Sequence, residues 1–448
     1  MDSAAIERLS APVPRYTSYP TAPHFMEQSG SVYEDWLRGL KPGSSLSLYV
    51  HIPYCDTLCW FCGCHTKRTL KYAPIAAYLE TLYQEIANVA DLVPEGTEVH
   101  HLHWGGGSPT ILSPEDISEL AGFLKDRFTF SYNAEFGVEI DPRDIGDERI
   151  NALVGAGVNR VSIGVQDFDP VVQTAINRTQ SYEETADTIS KLRALGVNSV
   201  NLDLLYGLPH QSVRTVAETV HKVASLDPDR VSMFGYAHVP WMKTHQKMID
   251  ESSLPDILER YHQSVCGSET LLGHGYQEIG MDHFAKRDDE LAIAAANGNL
   301  RRNFQGYTTD ACDALIGFGA SAISQFPNGY LQNTVATGEY MRQIEVRGLA
   351  TCKGIELDGD DRMRAFVIER LMCDFKLSTA ELTEKFGKRA EDILREASLF
   401  AQNDKDGLFR ATDDGYEVTK TGKTFIRVIS AHFDRYLNTG GKKHSVAV

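Results

Sequence analysis

"HIPYCDTLCWFCGCHTK", residues 51–67, gathers Cys55, Cys59, Cys62 and Cys64 into one short stretch of a 448-residue chain that holds eight cysteines in all. The others, Cys266, Cys312, Cys352 and Cys373, stand alone along the sequence, as in a chain kept reduced in the cytoplasm. Disulfides are therefore the weakest reading of the cluster. Its spacing is C-x3-C-x2-C-x-C. Structural zinc takes four ligands closing as a tetrahedron, commonly as two pairs well separated in sequence. Cys62 and Cys64 are a single residue apart and point to opposite sides of an extended chain, so closure of all four on one ion is strained. Three thiolates on one loop, Cys55, Cys59 and Cys62, suit an iron–sulfur cluster that keeps one iron open. Zinc and a reactive-thiol loop remain the other readings of the spacing alone.

The length suits one large domain with a smaller one, and 42% hydrophobic with 23% charged residues is the balance of a globular core. The opening "MDSAAIERLSAPVPRY" lacks a basic region followed by an apolar run, and no apolar stretch is long enough to span a bilayer. A cytoplasmic protein without membrane insertion is expected. A net charge of -17 opposes a sequence-independent grip on nucleic acid, so no nucleic-acid partner is expected. An anionic substrate must then be met by a few placed arginines. Nothing suggests an obligate assembly, and a monomer is expected.

Short β-rich runs at 45–53, 98–104, 135–141, 160–168, 199–207 and 230–239 alternate with helical patterns such as "IAAYLETLYQEIANVADL", "PEDISELAGFLKDRF" and "YEETADTISKLRALG". Ser113 and Pro114 read as a helix start and Gly196 as a C-terminal cap. Strands alternating with helices predict βα units and a parallel sheet. The strands themselves alternate: Leu46, Leu48, Val50 and Ile52 against Ser47, Tyr49 and His51, and Phe136, Val138 and Ile140 against Glu135, Gly137, Glu139 and Asp141. Val161, Ile163 and Val165 oppose Ser162, Gly164 and Gln166, while Val200, Leu202 and Leu204 oppose Asn201 and Asp203. One face meets the helices and the other is polar. The fold predicted is an α/β open six-unit (β/α) partial barrel with its chemistry at the C-terminal strand ends. Residues 361–448 predict a smaller, mostly helical, winged-helix-like domain: two helices, a "KDG" turn, two short strands and a "TKTGK" turn. The expected organisation is an N-terminal extension over the barrel mouth (1–44), the barrel (45–240), a barrel-completing region (241–360) and the C-terminal domain (361–448).

C-x3-C-x2-C just beyond the first strand, with Phe61 directly before the third cysteine, resembles the radical S-adenosylmethionine (SAM) superfamily. "WGGGSPT" (104–110) is by itself only a tight turn. It is no Rossmann loop, since G-x-G-x-x-G is absent, and beside the cysteine loop it resembles the superfamily's SAM-contacting stretch. In order along the chain, "PRYTSYPTA", "LYVHIPYC", "CWFCGC", "HWGGGSPT", "VEIDP", "GVQDF", "NRTQ", "NLDLLYGLP", "YAHVP", "GMDHFA", "RNFQGYTT" and "GASAIS" resemble the oxygen-independent coproporphyrinogen III oxidase family. The similarity runs from Arg15 to "HFDRYL".

That resemblance implies radical oxidative decarboxylation of two propionates of coproporphyrinogen III to vinyl groups, giving protoporphyrinogen IX in haem biosynthesis. It implies a [4Fe–4S] cluster on Cys55, Cys59 and Cys62, with Cys64 in the signature but not a ligand. It implies one SAM against Tyr49, Gly106, Glu139 and Ile323. The family can hold a second SAM, against Phe61, Gly107, Ser108, Gln166, Arg178, Asp203 and Ala237; Ser108 stands where threonine is more usual and keeps the hydroxyl. An electron donor such as a flavodoxin with its reductase, and an electron acceptor, complete the partners. Arg15, Tyr16, Lys67, Arg68, Phe304 and Gln305 are the candidates for substrate contact. Tyr16 and Tyr19 equally suit simple packing. In "HHLH" (100–103), alternation separates His100 from His101 and His103, and hydrogen-bonded histidines rather than metal ligands are expected. His238, Asp282 and His283 default to structural use, and "GFGAS" (317–321) to a backbone turn. The rival readings are a haem-trafficking chaperone, a haem-degrading relative and a tRNA-modifying enzyme of the same superfamily.

Overall fold

The computed structural model describes residues 1–143 and 145–437; positions 438–448 of the expected C-terminal domain lie outside the described residues. Six parallel strands form as the alternation predicts: β1 (Ser45–Ile52), β2 (Glu98–Gly106), β3 (Phe130–Ile140), β4 (Arg160–Gln166), β5 (Ser199–Tyr206) and β6 (Arg230–Gly235). Helices α1 (Ala73–Ala90), α2 (Pro114–Arg127), α3 (Asp147–Gly155), α4 (Tyr182–Ala194), α5 (Val213–Ser225) and α6 (Ile257–Gly273) lie between and after them. A seventh parallel strand, β7 (Ala314–Phe318), joins the free edge of β1. It leads into an antiparallel meander of β8 (Ile323–Phe326), β9 (Gly329–Asn333) and β10 (Thr351–Glu356). At the other edge His283–Ala285 and Gln277–Ile279 add antiparallel to β6. β6 and β7 are not paired with each other, so the barrel is open.

The apolar sets of these strands, among them Leu46, Leu48, Val50, Val138, Val161 and Leu202, are buried with Trp104 and the helices' inner faces in one continuous core. Local chemistry sets the helix ends. The Ser113 side chain accepts from the Asp116 N–H at the start of α2, with Pro114 in the first turn. Ser181 and Glu184 form a reciprocal capping box on α4, and Gly196 follows that helix with φ +94°.

The C-terminal module packs α7 (Gly359–Asp374), α8 (Thr379–Phe386) and α9 (Ala390–Asn403) with a small antiparallel sheet. That sheet has three strands, not two, because Lys376–Ser378 pairs with Gly415–Val418. "TKTGK" is a capped helical turn rather than an open one: Thr419 accepts from the Gly422 N–H, and a Cβ on Gly422 would lie 2.2 Å from the Leu408 carbonyl oxygen. Leu9, Val13, Tyr16 and Tyr19 share this module's core with Leu371, Phe425, Ile429 and Phe433. Among the described residues, no helix is long and apolar enough to cross a membrane.

One buried carboxylate fastens the helix layer to the returning strand. Glu85 on α1 is 1% exposed and accepts from Tyr340 Oη and the Gly319 N–H, each at 2.7 Å, and from Asn333 Nδ2 at 2.6 Å. Burial pushes its pKa up to about 7, against the lowering effect of these three donors. The unfolded carboxyl titrates near its ordinary value of 4.5, so between the two values the folded chain holds the extra proton. Glu85 therefore contributes stability that is present at low pH and lost as pH rises from 4.5 to about 7. Urea unfolding across that window should show a shallower fall in stability for Glu85→Gln than for the wild type; equal slopes would disprove the assignment.

Candidate active site

The cysteine loop leaves the C-terminal end of β1 and is tied down along its length. Tyr54–Cys55 pairs with Lys67–Arg68, the Trp60 N–H donates to the Ile176 carbonyl at 2.9 Å, and Asn177 Nδ2 donates to the Leu58 carbonyl at 3.0 Å. His245 Nε2 lies 2.7 Å from the Cys62 carbonyl oxygen, and Lys243 Nζ donates to that of Cys64 at 2.8 Å. Gln246, fully buried, donates from Nε2 to the carbonyls of both Phe61 (2.9 Å) and Ala237 (3.2 Å). Two residues far apart in sequence are thereby set side by side.

Cys59 is the buried member of the loop. Arg143 Nη2 and Arg178 Nη1 each stand 3.6 Å from its sulfur. Both guanidiniums are held by Asp141, at 2.6 Å from Arg143 and 3.1 Å from Arg178. Those cations hold Asp141 at about 2, overcoming the opposing effect of burial. Cys62 is drawn down to about 7, first by the hydrogen bond from Cys64 and then by the Cys64 N–H, Lys243 and Arg178, against burial. Burial pushes Cys55 up to about 12 despite its 3.1 Å contact with Thr66 Oγ1. Sulfurs around one tetrahedral zinc sit about 3.8 Å apart. Among the described residues, no three of the loop's sulfurs lie within 4.8 Å of one another. Cations at the buried thiol fit a multi-iron cluster of net negative charge.

Inside the barrel, Tyr49 stacks over His103 with ring centroids 6.0 Å apart. The His51 ring joins Tyr49 Oη (3.1 Å) to the His65 carbonyl (2.9 Å). A carbonyl only accepts, so His51 Nε2 carries the proton and Nδ1 accepts from the tyrosine. The Gly106 N–H donates to Glu139 Oε2 at 3.0 Å, and His103 Nε2 lies 3.6 Å from Glu139 Oε1. Against burial, His103 and the Gly106 N–H lower the Glu139 pKa. Gly106 has φ +110°, and a Cβ there would lie 2.4 Å from the His51 ring. Gly107 and Ser108 continue the turn, their N–H groups donating to the Ile52 and Tyr54 carbonyls at 2.8 Å. Gln166 ends β4 at φ +71°, a sterically costly conformation for a residue with a Cβ. Asp203 accepts from Ser162 Oγ and Asn201 Nδ2, both at 2.8 Å; burial and Glu139 raise its pKa. Glu139, Asp203, His103, Gln305 and His283 line one interior cavity of about 150 Å³. Phe61 packs toward Val172, Ile176 and Tyr236, and Ile323 opens β8.

The substrate candidates separate. Arg15 lies 5.7 Å from the Phe234 ring, donates to the Gly235 carbonyl at 2.5 Å, and lines a cavity of about 480 Å³ between the barrel and the C-terminal module. Lys420, Lys423, Arg260 and Arg427 line the same space. Tyr16 is buried, donating to Asp434 at 3.0 Å, and Tyr19 is buried beside it; both pack. Lys67 and Arg68 are exposed on the cysteine loop's outer strand. Phe304 packs edge-on to Tyr330 at 5.8 Å, and Gln305 faces the interior cavity. His238 bridges Tyr236 and Glu251, and His283 is bonded to Asp282 at 2.7 Å. Sequence reasoning missed Arg143, Gln246 and Arg302. Arg302 packs 4.4 Å from the Tyr307 ring with Nε and Nη1 buried and no hydrogen-bond partner among the described residues. Its signal was its place at the head of "RNFQGYTT", where no role was assigned to it.

The chain is similar to known proteins along nearly its whole length. The Radical SAM superfamily profile matches residues 49–223, and the HemN C-terminal domain profile matches 357–425. An oxygen-independent coproporphyrinogen III oxidase of Bradyrhizobium diazoefficiens is 46% identical over 437 residues, covering 97% of each chain. That of Escherichia coli K12 is 42% identical, covering 97% of this chain and 95% of its own. The solved structure of the Escherichia coli coproporphyrinogen III oxidase HemN, described as a radical SAM enzyme, superposes with a TM-score of 0.91 at 41% identity over 97% of this chain and 99% of its own. The chain belongs to the oxygen-independent coproporphyrinogen III oxidase family of radical SAM enzymes.

Proposed function

We propose that this chain converts two propionate side chains of coproporphyrinogen III to vinyl groups, yielding protoporphyrinogen IX. The observation that carries the reading is the pairing of a cation-flanked thiol loop with a polar barrel interior and an arginine-lined cavity beside it. When bound, a [4Fe–4S] cluster on Cys55, Cys59 and Cys62, together with SAM, supplies hydrogen-atom abstraction at an unactivated carbon. The carbon that loses hydrogen is the one β to the carboxylate; carbon dioxide and one electron then leave, and the vinyl group remains.

The chain's own residues bind, orient and keep out water. Glu139, fixed by the Gly106 N–H and His103, offers an anionic acceptor for the SAM ammonium. Tyr49 and its His51 partner wall the same end of the barrel. Phe61, Gly107, Ser108, Gln166, Arg178, Asp203 and Ala237 form the adjoining set for a second SAM, with Gln246 holding Phe61 and Ala237 together. No side-chain base is required once hydrogen has left as an atom, in keeping with Tyr49, whose phenol burial holds well above its ordinary pKa.

The substrate's carboxylates need cations near the barrel mouth. Arg302, whose Nη2 donates to the Arg15 carbonyl at 3.3 Å, carries buried N–H groups that a carboxylate would satisfy. Arg15 borders the adjoining cavity. Lys67 and Arg68, on the exposed strand, are assigned to the loop's outer surface and not to substrate.

An anaerobic assay of cluster-loaded protein with SAM, a strong reductant, an electron acceptor and coproporphyrinogen III tests the reading. Protoporphyrinogen should form and vanish in Cys59→Ala. Deoxyadenosine release without decarboxylation by an intact cluster would overturn it and favour haem binding. Iron analysis should show loss of cluster iron in Cys55→Ala, Cys59→Ala and Cys62→Ala but not in Cys64→Ala. Arg302→Met should raise KM for coproporphyrinogen by roughly 10-fold or more, the scale of one charged hydrogen bond, with little change in iron content; an unchanged KM removes Arg302 from the substrate site.

A further inference from the structure

At the opposite, N-terminal end of the barrel, three ligand-bearing side chains converge outside the site described above. His101 on β2, and Asp310 and Cys312 in the segment leading into β7, place a ring nitrogen, a carboxylate oxygen and a thiol within 4.8 Å of one another. All three are partly buried. The cluster lies beside Ser47 on β1; at about 3.3 Å per residue, the strand from Ser47 to Ile52 puts it roughly 16 Å from the start of the cysteine loop.

The surroundings orient each group. His101 Nε2 faces Asp310 Oδ1 at 4.0 Å, while Nδ1 faces Glu135 Oε1 at 3.8 Å. Glu135 is itself fixed by Arg160 at 2.9 Å. At 3.8 Å Glu135 faces the ring nitrogen without a hydrogen bond to it. Asp310 is aimed by Ser47 Oγ, which donates to Oδ2 at 2.5 Å, and by the Cys312 N–H, which donates to Oδ1 at 2.9 Å. A cavity of about 570 Å³ lined by His101, Glu135, Arg160 and Arg230 opens this end of the barrel to solvent.

We propose that His101, Asp310 and Cys312 form a binding site for one divalent transition-metal ion, with zinc the best match to the donor set. One nitrogen, one carboxylate oxygen and one thiolate suit zinc, with water at the fourth position from the cavity side. Ionised Asp310 and the thiolate neutralise a dication, and the thiol proton is released to solvent on binding. The ion clasps the segment before β7 onto β1 and β2 at the point where the seventh parallel strand joins the sheet. For His101 this departs from the expectation of hydrogen-bonded histidines in "HHLH", and two of the three ligands lie more than two hundred positions downstream of it.

The test is zinc binding to cluster-loaded chain under anaerobic conditions, by titration against a chromophoric chelator and by metal analysis. One zinc per chain is expected beyond the cluster iron, with affinity falling on the order of 100-fold or more in Cys312→Ser and in His101→Gln at unchanged iron content. Zinc-edge X-ray absorption of the wild type should show one sulfur at about 2.3 Å with nitrogen and oxygen neighbours, a readout that stands even if a variant misfolds. Absence of stoichiometric zinc, retention of zinc by both variants, or two or more sulfurs around the ion would overturn the proposal. The last would place the zinc on the cysteine loop, and the first would leave His101 facing Glu135 and Asp310 without an ion.

Discussion

The site depends on the paired hold of Asp141 on Arg143 and Arg178. Two guanidiniums brought to one buried sulfur repel each other, and leaving either unpaired away from water costs several kcal/mol. A carboxylate between them removes that penalty and fixes both at 3.6 Å from Cys59. Because Arg178 also donates to the Gly164 carbonyl at 2.6 Å, the cysteine loop, the end of β3 and the middle of β4 are joined through one residue. Cation placement, thiol placement and strand register are therefore one constraint.

A second element of the same kind is Gln246. Its amide satisfies the Phe61 and Ala237 carbonyls and accepts from the Val239 N–H at 2.6 Å. A side chain from a short 3-10 turn, Thr244–Met248, thus closes the gap between the cysteine loop and the end of β6. Neutral hydrogen bonds suffice here because only peptide groups need partners.

Much of this was legible in the sequence for a physical reason: strand alternation has a period of two and acts over neighbouring residues. It separated Leu46, Leu48 and Val50 from Tyr49 and sent Glu139, Gln166 and Asp203 inward, and those last three are the polar groups at the barrel interior and its strand ends. What was not legible depends on contacts between segments that no local period links. Arg143 reaches Cys59 across eighty-four positions, Arg302 reaches Arg15 across 287, and the His101 cluster draws on the segment before β7. Tyr16 and Tyr19 illustrate the limit from the other side. Their motif was plain, but only the fold shows that their rings lie in the C-terminal core.

That shared core bears on how the molecule is assembled. Arg427 donates to the Pro14 carbonyl across 413 positions at 3.0 Å, and Leu9, Val13, Tyr16 and Tyr19 bury against residues of the final module. Those four side chains thus complete their burial only against residues far downstream in the sequence. Contacts of such long sequence separation close late and slowly. The barrel sheet uses none of these contacts, and Arg15 meets it directly at Phe234 and Gly235. Proteolytic loss of the last module would strip the apolar cover from Tyr16 beside it while leaving Arg15's own contacts with Phe234 and Gly235 in place.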